Sequence, residues 1–190
     1  ESHNASVNSV AISPDGKILA TGSDDNSAKI WDLQSGNVIL TLKGHNASIN
    51  SIAFSPDGKR LATASIDNTA KTWDIGKGKT LSTFIGHKSY VSSIAFSPDG
   101  KYLATGSGDK TAKIWDAETG KEIRTLNGHI ATVSGIAFSP DGKKLVTGSV
   151  DKTAKIWDFE SGKEIRTLNG HDSYISSIAF SPDGKKIATG

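Results

Sequence analysis

The period of the sequence constrains its fold more than any other feature. Histidine recurs every 42 residues along the whole chain, at His3, His45, His87, His129 and His171. A Trp-Asp pair recurs with the same spacing, with its indole at Trp31, Trp73, Trp115 and Trp157. A fixed period of this length is typical of proteins in which each unit buries its apolar surface only by stacking on its neighbours. The period predicts four complete units, at residues 3–44, 45–86, 87–128 and 129–170, and half a unit at 171–190.

The third unit shows what each repeat contains. Its β-branched and aromatic residues predict strands at 90–96, 102–107, 111–115 and 122–126, named here strands a to d. Ser97-Pro98-Asp99-Gly100 lies between a and b and is typical of a tight turn, because proline presets φ and glycine tolerates the turn exit. Each unit is therefore predicted to be a four-stranded antiparallel meander, and stacked twisted meanders form radially arranged blades. The chain should contain eighteen strands in total.

Three motifs carry a family resemblance. Gly44-His45, Ser55-Pro56-Asp57-Gly58 and Trp73-Asp74 stand at the spacing of WD repeats, and their counterparts cover the whole chain. Ser2, in place of glycine before His3, is the one departure at the Gly-His sites. The chain thus resembles the WD-repeat β-propellers. The resemblance implies an all-β fold of WD-type four-stranded antiparallel blades, with four complete blades and half a blade in this sequence.

A recurring set of polar residues could be mistaken for a catalytic triad. In the third unit it comprises His87, Ser107, Asp109 and Trp115, and equivalent sets follow His3, His45 and His129. A hydrolase needs one such site with an oxyanion hole, whereas this set recurs once in every complete unit, as a structural element of a repeat does. The set resembles the structural tetrad of WD-repeat proteins. We therefore expect no catalytic residue and no enzyme activity.

Other signals for ligands are weak. Histidines placed one per blade lie too far apart to share a metal ion, and the chain has no Cys, so we expect no metal and no cofactor. The segment 76–80 resembles the end of a phosphate loop, but Trp73 occupies the position of the required first glycine. Lys29, Lys71, Lys113 and Lys155 recur on strand c and are expected to be surface lysines with solvated ammonium groups.

Charge and hydropathy exclude some partners. Lys and Arg total 22 against 20 Asp and Glu, which argues against a nucleic-acid partner held by bulk charge. No apolar run approaches the roughly 20 residues that cross a bilayer, so no membrane partner is expected. The first residues lack the basic and apolar regions of a signal peptide, which favours a cytoplasmic protein.

Candidate binding residues are found where the units differ from one another. One end of each blade contains the loop before strand a and the b–c turn. We call this end of the blades the upper rim. Resemblance to WD propellers such as the G-protein β subunit implies that three positions per unit contact partners there. The first lies three residues after the His: Ser6, Ser48, Tyr90, Thr132 and Tyr174. The second lies five residues after it: Asn8, Asn50, Ser92, Ser134 and Ser176. The third precedes the tetrad Asp: Asp24, Ile66, Gly108 and Val150. Tyr90 and Tyr174 are the best anchors, because tyrosine supplies contact area at low entropic cost.

Three functional hypotheses follow. The leading one is a non-catalytic scaffold that binds a protein or peptide on the upper rim, as the sensor or assembly propeller of a larger protein. The near-identical units resemble WD arrays that follow switch domains in bacterial signalling proteins. The alternative is a self-assembling propeller fragment, natural or engineered. An enzyme at the channel mouth is a third hypothesis, but it needs clustered ionisable groups, and Asp24 is the only carboxylate at the rim positions above.

The half unit bears on the second hypothesis. The partners of His171 in a fifth tetrad are expected at positions 191, 193 and 199, beyond the sequence. The last strand then has an unpaired edge, and exposed edges drive association. We therefore expect either a continuation of the native chain or self-association through the open ends.

Overall fold

The computed structural model describes residues 2–190, and within them every regular element is a β-strand. Blade 1 comprises β1 (Val7–Ile12), β2 (Ile18–Ser23), β3 (Ser27–Asp32) and β4 (Val38–Lys43). Blade 2 comprises β5 (Ile49–Phe54), β6 (Arg60–Ser65), β7 (Thr69–Asp74) and β8 (Lys79–Ile85). Blade 3 comprises β9 (Val91–Phe96), β10 (Tyr102–Ser107), β11 (Ala112–Asp116) and β12 (Glu122–Leu126). Blade 4 comprises β13 (Val133–Phe138), β14 (Lys144–Ser149), β15 (Ala154–Asp158) and β16 (Glu164–Leu168). The half blade comprises β17 (Ile178–Phe180) and β18 (Ile187–Thr189).

The topology confirms the predicted meanders. Four sheets have four antiparallel strands in chain order, and β17 pairs with β18 in a fifth, two-stranded sheet. Gly100 has a φ of +70° at the exit of the first turn of blade 3, as its position after Ser-Pro-Asp requires. Strand a of blade 3 starts at Val91 rather than at the predicted Tyr90, and a bulge at Ser92 shifts the β9–β10 register between the pairs Ser93–Gly106 and Val91–Ser107.

The first strands of successive blades run side by side and form the inner wall of the arc. β1 packs beside β5, β5 beside β9, β9 beside β13 and β13 beside β17. Each second strand also contacts the first strand of the next blade, as β6 does with β9. The first strands therefore line the central channel and the fourth strands lie on the outside.

The apolar core lies between blades rather than within them. Between blades 1 and 2, Ile30 and Leu42 pack with Ile49, Leu61 and Trp73, and all five side chains are buried. Comparable clusters fill the other three interfaces. Each blade thus depends on its neighbours for burial, as the repeat period predicts.

Candidate functional site

Each complete blade carries one hydrogen-bonded tetrad, and its hydroxyl member differs from the prediction. In blade 3, Trp115 Nε1 donates to Thr105 Oγ1 at 2.8 Å, and Thr105 Oγ1 lies 2.8 Å from His87 Nε2. His87 Nδ1 lies 2.8 Å from Asp109 Oδ2. The serine that we predicted as the tetrad hydroxyl is wrong in all four blades. The hydroxyl belongs instead to the threonine two residues earlier, namely Thr21, Thr63, Thr105 and Thr147.

Cross-strand geometry explains the correction. Trp115 pairs with Leu103 across β10 and β11, so its indole reaches the diagonal neighbour Thr105. Ser107 lies beside the b–c turn, where its hydroxyl donates to the carbonyl of Ser89 and accepts from the backbone N–H of Asp109, both at 3.1 Å. Ser107 therefore holds the turn and takes no part in the tetrad.

The half blade gives a second correction. His171 Nε2 lies 2.6 Å from Thr189 Oγ1. A tetrad hydroxyl is thus present within the sequence, rather than at the expected position 191.

The direction of the tetrad bonds follows from donor chemistry. An indole nitrogen only donates and an ionised carboxylate only accepts. A neutral His87 therefore carries its proton on Nδ1, facing Asp109, and accepts at Nε2 from the Thr105 hydroxyl. Burial lowers the pKa of His87 despite the opposing effect of Asp109, which favours this neutral form.

The aspartate of the tetrad organises the upper turn. Asp109 Oδ1 accepts from the Thr111 hydroxyl at 2.6 Å, and Oδ2 accepts from the backbone N–H of Lys88 at 2.9 Å. Burial alone would raise the pKa of Asp109, but these hydrogen bonds and the one from His87 outweigh it and hold the pKa to about 2. The same arrangement recurs around Asp25, Asp67 and Asp151, and a set that repeats in every complete blade is typical of a structural role.

The strand-c lysines are more buried than expected. Lys113 Nζ donates to Glu122 Oε2 at 2.9 Å and to Thr125 Oγ1 at 2.7 Å, and Lys155 makes the same pair of contacts in blade 4. In blades 1 and 2, Lys29 and Lys71 donate to the corresponding threonine of strand d. The expectation of solvated ammonium groups was wrong, because strand d supplies acceptors beside strand c.

The predicted rim positions fall into an exposed and a partly covered set. The exposed residues are Ser6, Asn8, Asp24, Ile66, Tyr90, Val150, Tyr174 and Ser176. The half-buried residues are Ser48, Asn50, Ser92, Gly108, Thr132 and Ser134. The exposed set includes both tyrosines that we predicted as anchors.

Several residues of the second position bond to the next blade. Asn8 Nδ2 donates to the carbonyl of Ile49 at 3.2 Å and to Asp24 Oδ1 at 2.6 Å. Asn50 Nδ2 donates to the carbonyl of Val91 at 3.0 Å. Ser92 and Ser134 donate in the same way to the carbonyls of Val133 and Ile175. These four side chains hold adjacent blades together, whatever else they contact.

Tyr90 is fixed across the joint between blades 3 and 4. Its hydroxyl lies 3.2 Å from Thr132 Oγ1, and its backbone carbonyl accepts from the N–H of Gly108 at 3.0 Å. A Cβ on Gly108 would lie 2.6 Å from Tyr90 Cε1, so the ring occupies the space that a side chain would need. Gly108 thus acts as a platform for an aromatic ring that remains 38% exposed.

Other exposed residues at the same rim were missed by the sequence analysis. Ile130, directly after the tetrad His of blade 4, is 79% exposed. Lys88 holds that position in blade 3, and Lys110 and Lys152 follow the tetrad Asp of blades 3 and 4; all three are exposed. A comparison of the units at these two positions would have found them, because they differ between blades.

The opposite end of the channel has a different character. An apolar groove of about 370 Å³ is lined there by Phe54, Phe96, Phe138 and three prolines of the a–b turns, Pro14, Pro56 and Pro98. Within residues 2–190, no group of three or more His, Cys, Asp or Glu side chains could hold a metal ion. The same part of the chain has no helix with the length and hydropathy needed to cross a bilayer.

Comparison with known proteins finds five matches to one repeat family, distributed along the whole chain. The family profile described as "WD domain, G-beta repeat" matches residues 1–32, 36–74, 78–116, 120–158 and 162–190. The nuclear distribution protein PAC1 of Tuber melanosporum is 51% identical over 43 residues, which are 23% of this chain and 10% of that protein. The small ribosomal subunit protein RACK1y of Oryza sativa is 45% identical over 42 residues, 22% of this chain and 12% of the relative. The general transcriptional corepressor TUP1 of Saccharomyces cerevisiae is 45% identical over 38 residues, 20% of this chain and 5% of the relative. Each alignment has the length of one repeat and spans a small part of the relative.

Proposed function

Because the chain belongs to the WD-repeat family, we propose that it is a non-catalytic protein-interaction scaffold whose partner binds the upper rim. One observation carries the proposal. Five large apolar side chains are exposed on this rim, namely Ile66, Tyr90, Ile130, Val150 and Tyr174, at between 38% and 79%. Apolar side chains gathered on one exposed surface are typical of interaction sites. We propose further that the chain serves as the sensor or assembly propeller of a larger, bacterial signalling protein. A switch domain encoded in the same protein beside these residues would support this role.

The tyrosines are the means to test the binding face. In the double variant Tyr90→Ser, Tyr174→Ser, we expect affinity for a protein captured by the unaltered chain to fall about tenfold or more, because exposed aromatic anchors dominate such interfaces. The thermal midpoint should change little, since both residues are exposed and the one hydrogen bond lost is that of Tyr90 with Thr132. Affinity is measured by titration of the purified partner.

The groove at the opposite end provides the control. Pro56→Ala with Pro98→Ala alters two exposed prolines that line this groove and should leave the affinity unchanged. If these changes abolish binding and the tyrosine changes do not, the partner binds the other face and the proposal is wrong.

Self-association is a second candidate, and the packing of blade 1 favours it. Val7, Val10 and Ile12 on its outward face are 47%, 64% and 61% exposed. The counterparts of the two valines in blade 2, Ile49 and Ile52, are buried because blade 1 covers them. Within the described residues, β18 pairs only with β17. We therefore expect the 190-residue chain, taken by itself, to associate through these ends.

Light scattering after size exclusion tests this second candidate. Association should increase with concentration, and Val10→Lys should reduce it. A compact monomer at every concentration with a sharp cooperative melt would contradict it, as would no gain in stability from residues that complete the fifth blade.

A further inference from the structure

The upper rim differs in chemistry between its two halves. At the positions directly after the tetrad His and directly after the tetrad Asp, blades 1 and 2 carry only asparagine: Asn4, Asn26, Asn46 and Asn68. The same positions in blades 3 and 4 carry Lys88, Lys110, Ile130 and Lys152. One half of the rim is therefore polar and uncharged at these sites, and the other is basic and apolar.

The backbone gives no reason for lysine at two of these sites. Asn26, Asn68, Lys110 and Lys152 all have a left-handed φ, between 65° and 74°. Asparagine adopts this conformation more readily than lysine. Blades 3 and 4 thus have lysine at a position where blades 1 and 2 have asparagine, the residue that this backbone conformation favours. Such a departure points to a role for the lysine side chain.

The three ammonium groups are available to a partner. Lys88, Lys110 and Lys152 are exposed, and in the described part of the chain none of them has a carboxylate within 4 Å. The nearby tetrad carboxylates of Asp109 and Asp151 are only 8% and 4% exposed and are directed toward their histidines. At the positions directly after the tetrad His and Asp of blades 3 and 4, every charged side chain is therefore positive, and the adjoining half blade has the exposed Asp172 after His171.

Apolar side chains share the same half. Tyr90, Ile130 and Val150 lie on blades 3 and 4, and Tyr174 lies on the half blade. Tyr90 is held in place by Gly108 and Thr132 before any partner arrives, which lowers the entropic cost of its use as an anchor.

We propose that blades 3 and 4 of the upper rim bind a protein segment in which acidic side chains alternate with apolar or aromatic ones. The inference rests on the proposed function and adds the chemistry of the partner. Carboxylates of the segment pair with the three lysines, and its apolar side chains cover Tyr90, Ile130 and Val150. A nucleic acid would satisfy the lysines but would leave the two aliphatic side chains without a suitable contact.

The test is a selection of random twelve-residue peptides displayed on phage, with the 190-residue chain as bait. Selected peptides are synthesised and titrated by fluorescence anisotropy against the unaltered chain and two triple variants. The rim variant, Lys88→Asn, Lys110→Asn, Lys152→Asn, uses the residue that blades 1 and 2 already accept on this backbone. The control variant, Lys101→Asn, Lys143→Asn, Lys185→Asn, removes the same charge from exposed positions in the a–b turns of the opposite face.

The proposal predicts peptides rich in Asp or Glu together with Leu, Phe, Tyr or Trp. Their affinity should fall about tenfold in the rim variant and should weaken with salt, whereas the control variant should change it less than about twofold. Neutral or basic peptides that bind the rim and lose affinity in Tyr90→Ser would overturn this inference and leave the proposed function standing. Peptides insensitive to every rim change would overturn both. A selection without binders, or binding of an oligonucleotide more tightly than any peptide, would also overturn the inference.

Discussion

Removal of the Thr105 hydroxyl tests the tetrad most directly. Thr105→Val keeps the shape of the side chain and deletes only Oγ1. Trp115 Nε1 then has no acceptor, and His87 Nε2 has no donor. Both partners are buried, with Trp115 1% and His87 8% exposed, so water cannot replace the lost bonds without a rearrangement.

The expected cost can be worked out from these two orphaned groups. A buried polar group left without its partner costs about 1–3 kcal/mol. Two such groups give roughly 3 kcal/mol, with no cavity term because valine fills the same volume. For a chain of this size, that loss lowers the thermal midpoint by about 6–12 °C.

Urea unfolding followed by tryptophan fluorescence measures the free energy of unfolding, and two variants serve as controls. Thr105→Ser keeps the hydroxyl and loses one buried methyl group, so it should cost only about 1 kcal/mol. Ser107→Ala removes the hydroxyl that holds the turn and should disturb the loop before β9 rather than the indole. In a ¹H–¹⁵N spectrum, the indole N–H signal of Trp115 should therefore shift in Thr105→Val and stay in place in Ser107→Ala.

The reasoning is refuted if Thr105→Val costs no more than Thr105→Ser. It is also refuted if Ser107→Ala, and not Thr105→Val, shifts the indole signal of Trp115.

Further predictions concern the core, the rim, the pH response and the role of the tetrads. Thr72→Val should raise the free energy of unfolding by about 1 kcal/mol, because Thr72 Oγ1 is buried without a partner among the described residues; a loss of stability in urea unfolding would contradict this. Gly108→Val should displace the Tyr90 ring and weaken rim binding severalfold at little cost in stability, while equal affinity in titration would show that the ring position is immaterial. The free energy of unfolding should fall as pH drops below about 6.5, because the folded-state pKa of His87 lies below its ordinary 6.5, and again from about 4 to 2, because that of Asp109 is held to about 2 against 3.8. Urea unfolding at pH 7.5, 5.5 and 3.5 checks this, and constant stability across these values would contradict it. Asp109→Ala and Asp67→Ala should destabilise the chain by similar amounts, roughly 1–3 kcal/mol each, and a hydrolase activity lost in only one of them would contradict the scaffold proposal.

The blades could be predicted from the sequence because their signals are local and repeated. The turn Ser97-Pro98-Asp99-Gly100 specifies its own geometry, and β-branched residues mark the strands on either side. The stacking of blades followed from the period, since one sheet alone cannot bury its apolar faces.

The tetrad hydroxyl could not be predicted in the same way. Thr105 and Ser107 both recur every 42 residues, so the period cannot distinguish them. Only the diagonal relation between Trp115 and Thr105 across two paired strands decides which one the indole reaches. The burial of Lys113 depends likewise on acceptors in strand d, and it becomes visible only once that strand lies beside strand c.

The features of the upper rim could be predicted from the sequence only in part. The exposure of Tyr90 and Tyr174 followed from their positions next to a loop. The platform under Tyr90 did not, because it depends on the absence of a side chain at Gly108. That binding occurs at this rim stays a prediction, and the experiments above decide it.

The side-chain bonds between inner strands have a consequence for the length of the chain. The side chains of Asn8, Asn50, Ser92 and Ser134 each reach a carbonyl 41 residues further on. Duplication or deletion of a whole 42-residue unit restores donors and acceptors at this same separation, so a joint is formed again at the new boundary. Insertion of one residue inside a first strand shifts the register of that strand and moves the donor or the acceptor away from its partner in the next blade. The chain can therefore lengthen or shorten by whole repeats with little change in packing, whereas single-residue insertions are confined to the exposed turns, outside the strands that carry these donors and acceptors.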